Sequence, residues 1–271
     1  NTYRQIREHH EFNIDQYRKL KNYADSKNID FFVTAFDPVA VDFLEDLGVN
    51  AYKLASHSAT NIELLNYLSA VRKPTILSTG MADLDELDTA VEIFRKNSAP
   101  LILLHCVSSY PTPFNECNLA MMEVLRARYD LPVGYSGHEI GYLPTVAAVA
   151  MGAQVVERHY TLDKSMTGFD HKMSLEPDEL ISMVRDIRAL SDIKGPGVKE
   201  VSDTEWITRN KYHVSMASAC DITLGEKLTN AMVSYRNPGT GIPAKLAKSI
   251  LGKVAVRDIQ SDVLLSTDMF E

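Results

Sequence analysis

The chain is poor in cysteine, in positive charge and in long apolar runs. Its 271 residues include three cysteines, Cys106, Cys117 and Cys220. That odd number, without framework spacing, excludes a disulfide-stapled secreted fold and points to a reduced, cytoplasmic setting. Cys106 closes the apolar run LILLHC and reads as a buried structural thiol. Lys and Arg total 28 against 36 Asp and Glu, a formal net charge of −8. Such a surface gives no electrostatic reason to bind nucleic acid or an anionic membrane. No apolar run approaches the ~18–20 residues of a membrane span, and no secretory signal is visible. No G-x-G-x-x-G follows an apolar run, which argues against a dinucleotide site. The first residue is Asn1 rather than Met, which reads as a processing, cloning or ordering boundary.

At 45% hydrophobic and 24% charged, the composition suits a globular protein of one large or two smaller domains. Residues 1–28 carry helical spacing through Ile14, Tyr17, Leu20 and Tyr23. Six β-rich runs then alternate with helical segments: 29–36, 51–56, 74–80, 101–109, the run PVGYSGH, and 154–162. The helices fall at 38–47, capped by Asp37, then at 61–71, 83–97, 118–129, 142–152 and 176–193. Continuous apolar strands in this rhythm belong to a parallel sheet buried on both faces. Polar residues gather after each strand, as in a TIM (β/α)8-type barrel; an open doubly wound sheet is the rival. Residues 1–194 are therefore expected to form an α/β barrel domain. The segment 195–209 reads as a linker, and 210–271 as a small β-rich domain. Within the latter, DITLGEKLTNAMV and DIQSDVLLSTDMF form a weak internal repeat.

The strand ends supply Lys53, Ser56, His57, Ser78, Tyr110, Ser136, His138 and His159, with Asp170 and His171 in the next loop. His138 and His159 stand one βα unit apart. Neighbouring parallel strands lie ~4.8 Å apart, so the two imidazoles could reach one metal ion. Glu157 shares a strand face with His159 by period-two alternation. A lysine among hydroxyls suits a phosphate or carboxylate. The set suggests metal-assisted carbonyl chemistry on a phosphorylated anion.

Four long stretches carry a resemblance: ILSTGMADLDEL, LLHCVSSYPTPFNECNL, VGYSGHEIGYLPTVAAVAMGAQVVERHYTLDKSMTGFDHKMSLEPDEL and RNPGTGIP. They closely resemble the sialic acid synthase family, whose members condense phosphoenolpyruvate with N-acyl hexosamines. The tail 206–271 resembles the family's antifreeze-like (SAF) domain. The resemblance implies a catalytic TIM barrel followed by an SAF domain that reaches the partner barrel in a swapped homodimer. It implies that His138 and His159 ligate Mn²⁺ or Mg²⁺ and that Asp170 serves catalysis near the hexosamine. Lys53, Ser56, Ser78, Tyr110 and Ser136 are expected to bind substrate, and Arg236 to serve the partner's site. Six strands against the family's eight imply that the first two βα units, with an acid and a second lysine, are lacking here. Ser56-His57-Ser58 stands where the family often has Ser-Gly-Glu, and Asn237 stands where many relatives have Arg. Those departures support a rival reading, a sugar- or partner-binding protein built from a decayed synthase.

Overall fold

The segment Asp37-Pro38 shows how local chemistry starts the barrel helices. Pro38 is pre-set for a first helical turn, and the Asp37 carboxylate accepts from the Ala40 N–H at 2.7 Å. The structure, a computed structural model, describes Gln5, Glu8 and residues 11–271. It divides into two units, Asn1–Gly195 and Pro196–Glu271.

In the first unit, helix α1 (Ile14–Ser26) starts at a capping box made by Asn13 and Gln16. The remainder of the helix expected over 1–28 lies largely outside the described residues. Helix α2 spans Pro38–Leu47. Strands β1 (Tyr52–Leu54), β2 (Thr75–Ser78), β3 (Leu101–Cys106), β4 (Val133–Gly137) and β5 (Val156–Arg158) then alternate with helices α3 (Ile62–Val71), α4 (Leu84–Lys96), α5 (Met121–Tyr129) and α6 (Leu143–Ala150). Helix α7 (Pro177–Lys194) follows β5. The five strands pair in sequence order and all in parallel, forming a curled half-barrel with helices. Leu44, Leu64, Leu68, Phe94, Leu103 and Tyr135 are almost wholly buried between sheet and helices. Gly134 is required where β4 and β5 approach, because a Cβ there would lie 2.2 Å from the Val155 carbonyl oxygen.

All six expected strands come out shorter, and the first and last depart most. The run 29–36 contributes one bridge, Thr34 to Lys53, with the Ala35 N–H donating to the Lys53 carbonyl. Among the described residues it meets a strand on one side only, and Phe32 and Phe36 are exposed. The last run leaves the sheet after Arg158, and Tyr160 bridges to Leu175 instead.

The second unit begins with helix α8 (Asp203–Tyr212), within the stretch that reads as linker from its Gly-Pro-Gly. Ser202 and Glu205 form a capping box, a start signal hidden behind those loop residues. Strands β6 (Ser215–Ser218) and β7 (Val233–Arg236) pair antiparallel. Met216, Ile222, Leu228, Ile242 and Leu265 form a separate core. The internal repeat has a physical meaning here. Ile222 and Ile259, which follow the two repeat aspartates, exchange both backbone hydrogen bonds at 2.8 Å. Asp258 accepts from the Leu224 N–H at 2.7 Å, and Asp221 accepts from the Ser261 N–H at 2.7 Å. Each copy thus caps the turn of the other.

Candidate active site

The alternation of β-strand side chains decides what reaches the interior of the half-barrel. Lys53 sits opposite Ile76, so Ser78, two residues on, shares its face. The Lys53 ammonium donates to Ser78 Oγ at 2.9 Å and to the Leu54 carbonyl at 2.9 Å. It also lies 3.4 Å from Glu157 Oε2. Ser136 stands directly opposite Glu157 and donates to its other carboxylate oxygen at 2.8 Å. A buried lysine, two serines and a carboxylate from four strands are thereby joined. Lys53 is only 6% exposed, and a buried ammonium is tolerable only when it is paired.

The imidazole pair stands beside this group. The His138 and His159 rings have centroids 5.2 Å apart. Tyr110 packs on His138 at 4.1 Å and meets His159 edge-on at 6.1 Å. His138 Nδ1 lies 2.9 Å from the Val107 carbonyl. A carbonyl only accepts, so Nδ1 carries the hydrogen and Nε2 keeps its lone pair. Burial pulls the His138 pKa down, but the Cys106 thiol and the Val107 carbonyl outweigh it and the net shift is upward. Burial lowers His159, against the pull of Asp170, whose carboxylate lies 3.6 Å away. Burial raises the Tyr110 hydroxyl.

Lys53, Ser56, Ser78, Tyr110, Ser136, His138, Glu157 and His159 line one cavity of about 330 Å³. Asp170 stands next to it through His159. Arg236 belongs to the second unit, where it is bonded to Asp262 and to Ser234 Oγ at 3.2 Å. Other histidines have local roles. His171 Nδ1 contacts Thr161 Oγ1 at 2.8 Å, His105 Nε2 contacts the Cys117 carbonyl at 2.8 Å, and His57 stacks on Phe36 at 5.3 Å.

Cys106 is buried, but at the site. Its sulfur lies 3.6 Å from Ser56 Oγ and 3.9 Å from His138 Nδ1. Burial pushes the thiol pKa up, yet the His138 and Ser56 contacts outweigh this and leave it lowered. The period-two reading of LILLHC, with His105 turned to the helices, could have placed Cys106 inside. Two buried groups behind the site, Glu139 and Arg158, were also missed. The alternation in VERH puts Arg158 opposite to Glu157 and His159 and so demands a counter-charge in the helix layer.

Among the described residues no group of three or more His, Cys, Asp or Glu side chains is arranged to hold a metal by itself. The donor set still fits a divalent ion that keeps open positions: His138 Nε2 has its lone pair free and the His159 ring faces the same cavity. The site can therefore receive an anion at Lys53 and polarise a second group at the imidazoles.

Residues 1–199 match the NeuB family, and residues 215–271 match the SAF domain. The chain belongs to the NeuB family. It is 39% identical over 258 residues to the N,N'-diacetyllegionaminic acid synthase of Campylobacter jejuni, covering 94% of this chain and 77% of that one. The N-acetylneuraminic acid (sialic acid) synthetase of Leptospira borgpetersenii is 39% identical with a TM-score of 0.69, over 73% of this chain and 70% of that one. A putative spore coat polysaccharide biosynthesis protein E from Chromobacterium violaceum aligns with all of this chain and 82% of its own, with a TM-score of 0.82 and 27% identity. The Campylobacter and Leptospira relatives are named as synthases of sialic-type acids, which agrees with the enzyme class expected from the motifs. No helix among the described residues is long and apolar enough to cross a membrane.

Proposed function

We propose that this protein joins phosphoenolpyruvate to the aldehyde carbon of an open-chain N-acyl hexosamine, giving a nine-carbon sialic-type acid and phosphate. The observation that carries this reading is the cavity where a buried, hydroxyl-flanked Lys53 faces the His138–His159 pair. Similarity to legionaminic and sialic acid synthases supports it.

Lys53, Ser78 and Ser136 take the anionic groups of phosphoenolpyruvate, the ammonium exchanging its Glu157 contact for the ligand. Held there, C3 faces the aldehyde and forms the new C–C bond. Water then adds at C2, and the C2–O bond to phosphate breaks. Glu157, released from Lys53, accepts a proton from that water, and a proton passes to the alkoxide oxygen that the aldehyde has become. A divalent ion such as Mn²⁺ or Mg²⁺, held by His138 and His159, would supply Lewis-acid polarisation of the aldehyde. Val107 fixes the His138 tautomer that this requires. Asp170 accepts a hydrogen bond from the sugar beside His159. In a homodimer, the SAF unit of a second copy would offer Arg236, whose exposed pairing with Asp262 is weak enough to exchange for a ligand.

The test is phosphate release from phosphoenolpyruvate with N-acetylmannosamine, its 6-phosphate and a 2,4-diacetamido hexose, each with Mn²⁺. Release with at least one sugar is expected. No release with any of them contradicts the reading.

A further inference from the structure

The interior-facing residues of β5 have a counterpart on its other face. Arg158 lies between Glu157 and His159 and points into the helix layer, where its side chain is 3% exposed and that of Glu139 is 0% exposed. Glu139 directly follows His138. Arg158 Nη1 donates to Glu139 Oε1 at 2.7 Å, to the Gly141 carbonyl at 2.7 Å and to Thr145 Oγ1 at 2.9 Å. Nη2 donates to the Glu139 carbonyl at 2.7 Å and to the Met173 carbonyl at 3.4 Å. One guanidinium therefore ties together the loop after His138, the strand that His159 directly follows, and the loop that carries Asp170.

The carboxylate is held just as firmly. Glu139 Oε2 accepts from the Tyr135 hydroxyl at 3.0 Å, and Oε1 accepts from Thr145 Oγ1 at 2.8 Å. Gly137 leaves the room for this turn, since a Cβ there would lie 2.5 Å from Glu139 Oε2. A buried ion pair is poor evidence for stability, because apolar residues of similar volume often do as well. Three of the five guanidinium bonds here run to backbone carbonyls that flank the site. From this we infer that Arg158, clamped by Glu139, is a positioning residue that sets the separation of His138 and His159, keeps the His138 ring on the Val107 carbonyl that fixes its tautomer, and sets the approach of Asp170. This rests on reading the two imidazoles as acting on one substrate.

The test compares the full chain with Glu139→Gln/Arg158→Met, a charge-neutral pair, and with Arg158→Lys, which keeps the charge but loses the fork. Three quantities are read: the thermal midpoint, Mn²⁺ affinity from the free-ion EPR signal, and the ¹⁵N–¹H imidazole signals of His138 without metal. The double variant should unfold near the wild-type midpoint, bind Mn²⁺ about 10–100-fold more weakly, and lose the single Nδ1–H form of His138. If the double variant does not fold, Arg158→Lys should show the same weakened binding and mixed His138 signals. A folded variant with wild-type Mn²⁺ affinity and an unchanged His138 spectrum overturns the inference. If the wild-type protein binds no Mn²⁺, the metal reading fails, and the His138 spectra alone decide the role of Arg158.

Discussion

Lys53, Glu139 and Arg158 lie inside the N-terminal unit, whereas the ion pairs of the C-terminal unit, Arg236–Asp262 and Arg257–Asp268, lie at its surface. The core of the C-terminal unit, from Met216 to Phe270, is apolar apart from the buried, neutral hydroxyls of Ser215 and Ser218. Both units have an apolar core of their own. Only one also bears the desolvation cost of interior charge. That cost is offset by pairing, and it leaves a preorganised cation and two imidazoles where an anion and a carbonyl can be received. On this account interior charge marks the working region, and an uncharged interior marks a scaffold.

The strongest way to break this contrast is Lys53→Met. Turnover should fall about 10²–10³-fold, while the thermal midpoint holds or rises, because a buried ammonium is replaced by a matching apolar chain. Wild-type turnover in this variant would mean that Lys53 is structural. Next comes Gly134→Ala, which drives a methyl group against the Val155 carbonyl. It should cost about 1–3 kcal/mol, seen in denaturant unfolding of the first unit; an unchanged midpoint would show that β4 and β5 can part freely. In the scaffold, Ile222→Val at the repeat contact should cost about 0.5–1.5 kcal/mol and leave phosphoenolpyruvate binding unaltered. Altered binding would refute the division of roles. The smallest effect belongs to a surface pair. Arg128 Nε donates to Asp88 at 2.7 Å and holds the Asp88 carboxyl down to about 2. A depressed carboxylate stabilises while it is ionised and is more acidic than in the unfolded chain. Its contribution is present above about pH 4 and fades as pH falls toward 2. Asp88→Asn should remove that part of the acid dependence of the midpoint without changing turnover. Identical pH profiles would show that the pair contributes nothing.

Much of the barrel was legible because strand and helix periods differ and the caps are explicit. Asp37-Pro38 and Asp83 with Glu86 each start a helix near the predicted residue. Lys53, Ser78, Ser136, His138 and His159 could be gathered because a parallel α/β fold sends its strand ends to one side. The run 29–36 misled because apolar content cannot reveal how many neighbours a strand has. The linker misled because Gly195, Pro196 and Gly197 drew attention from Ser202 and Glu205. Glu139 and Arg158 escaped notice because charged residues are normally exposed. Only their contacts show that they face each other behind the histidines.

The division of labour inside the cavity is the central claim. Lys53 holds the anion, and the histidines serve the second substrate. Titration calorimetry of phosphoenolpyruvate into the wild-type, Lys53→Met and His159→Ala proteins without added metal tests it most directly. The account predicts binding lost by at least about 10-fold, or about 1.4 kcal/mol, in Lys53→Met and nearly retained in His159→Ala, although both variants lose most of their turnover. Wild-type affinity in Lys53→Met, or lost affinity in His159→Ala alone, would contradict it.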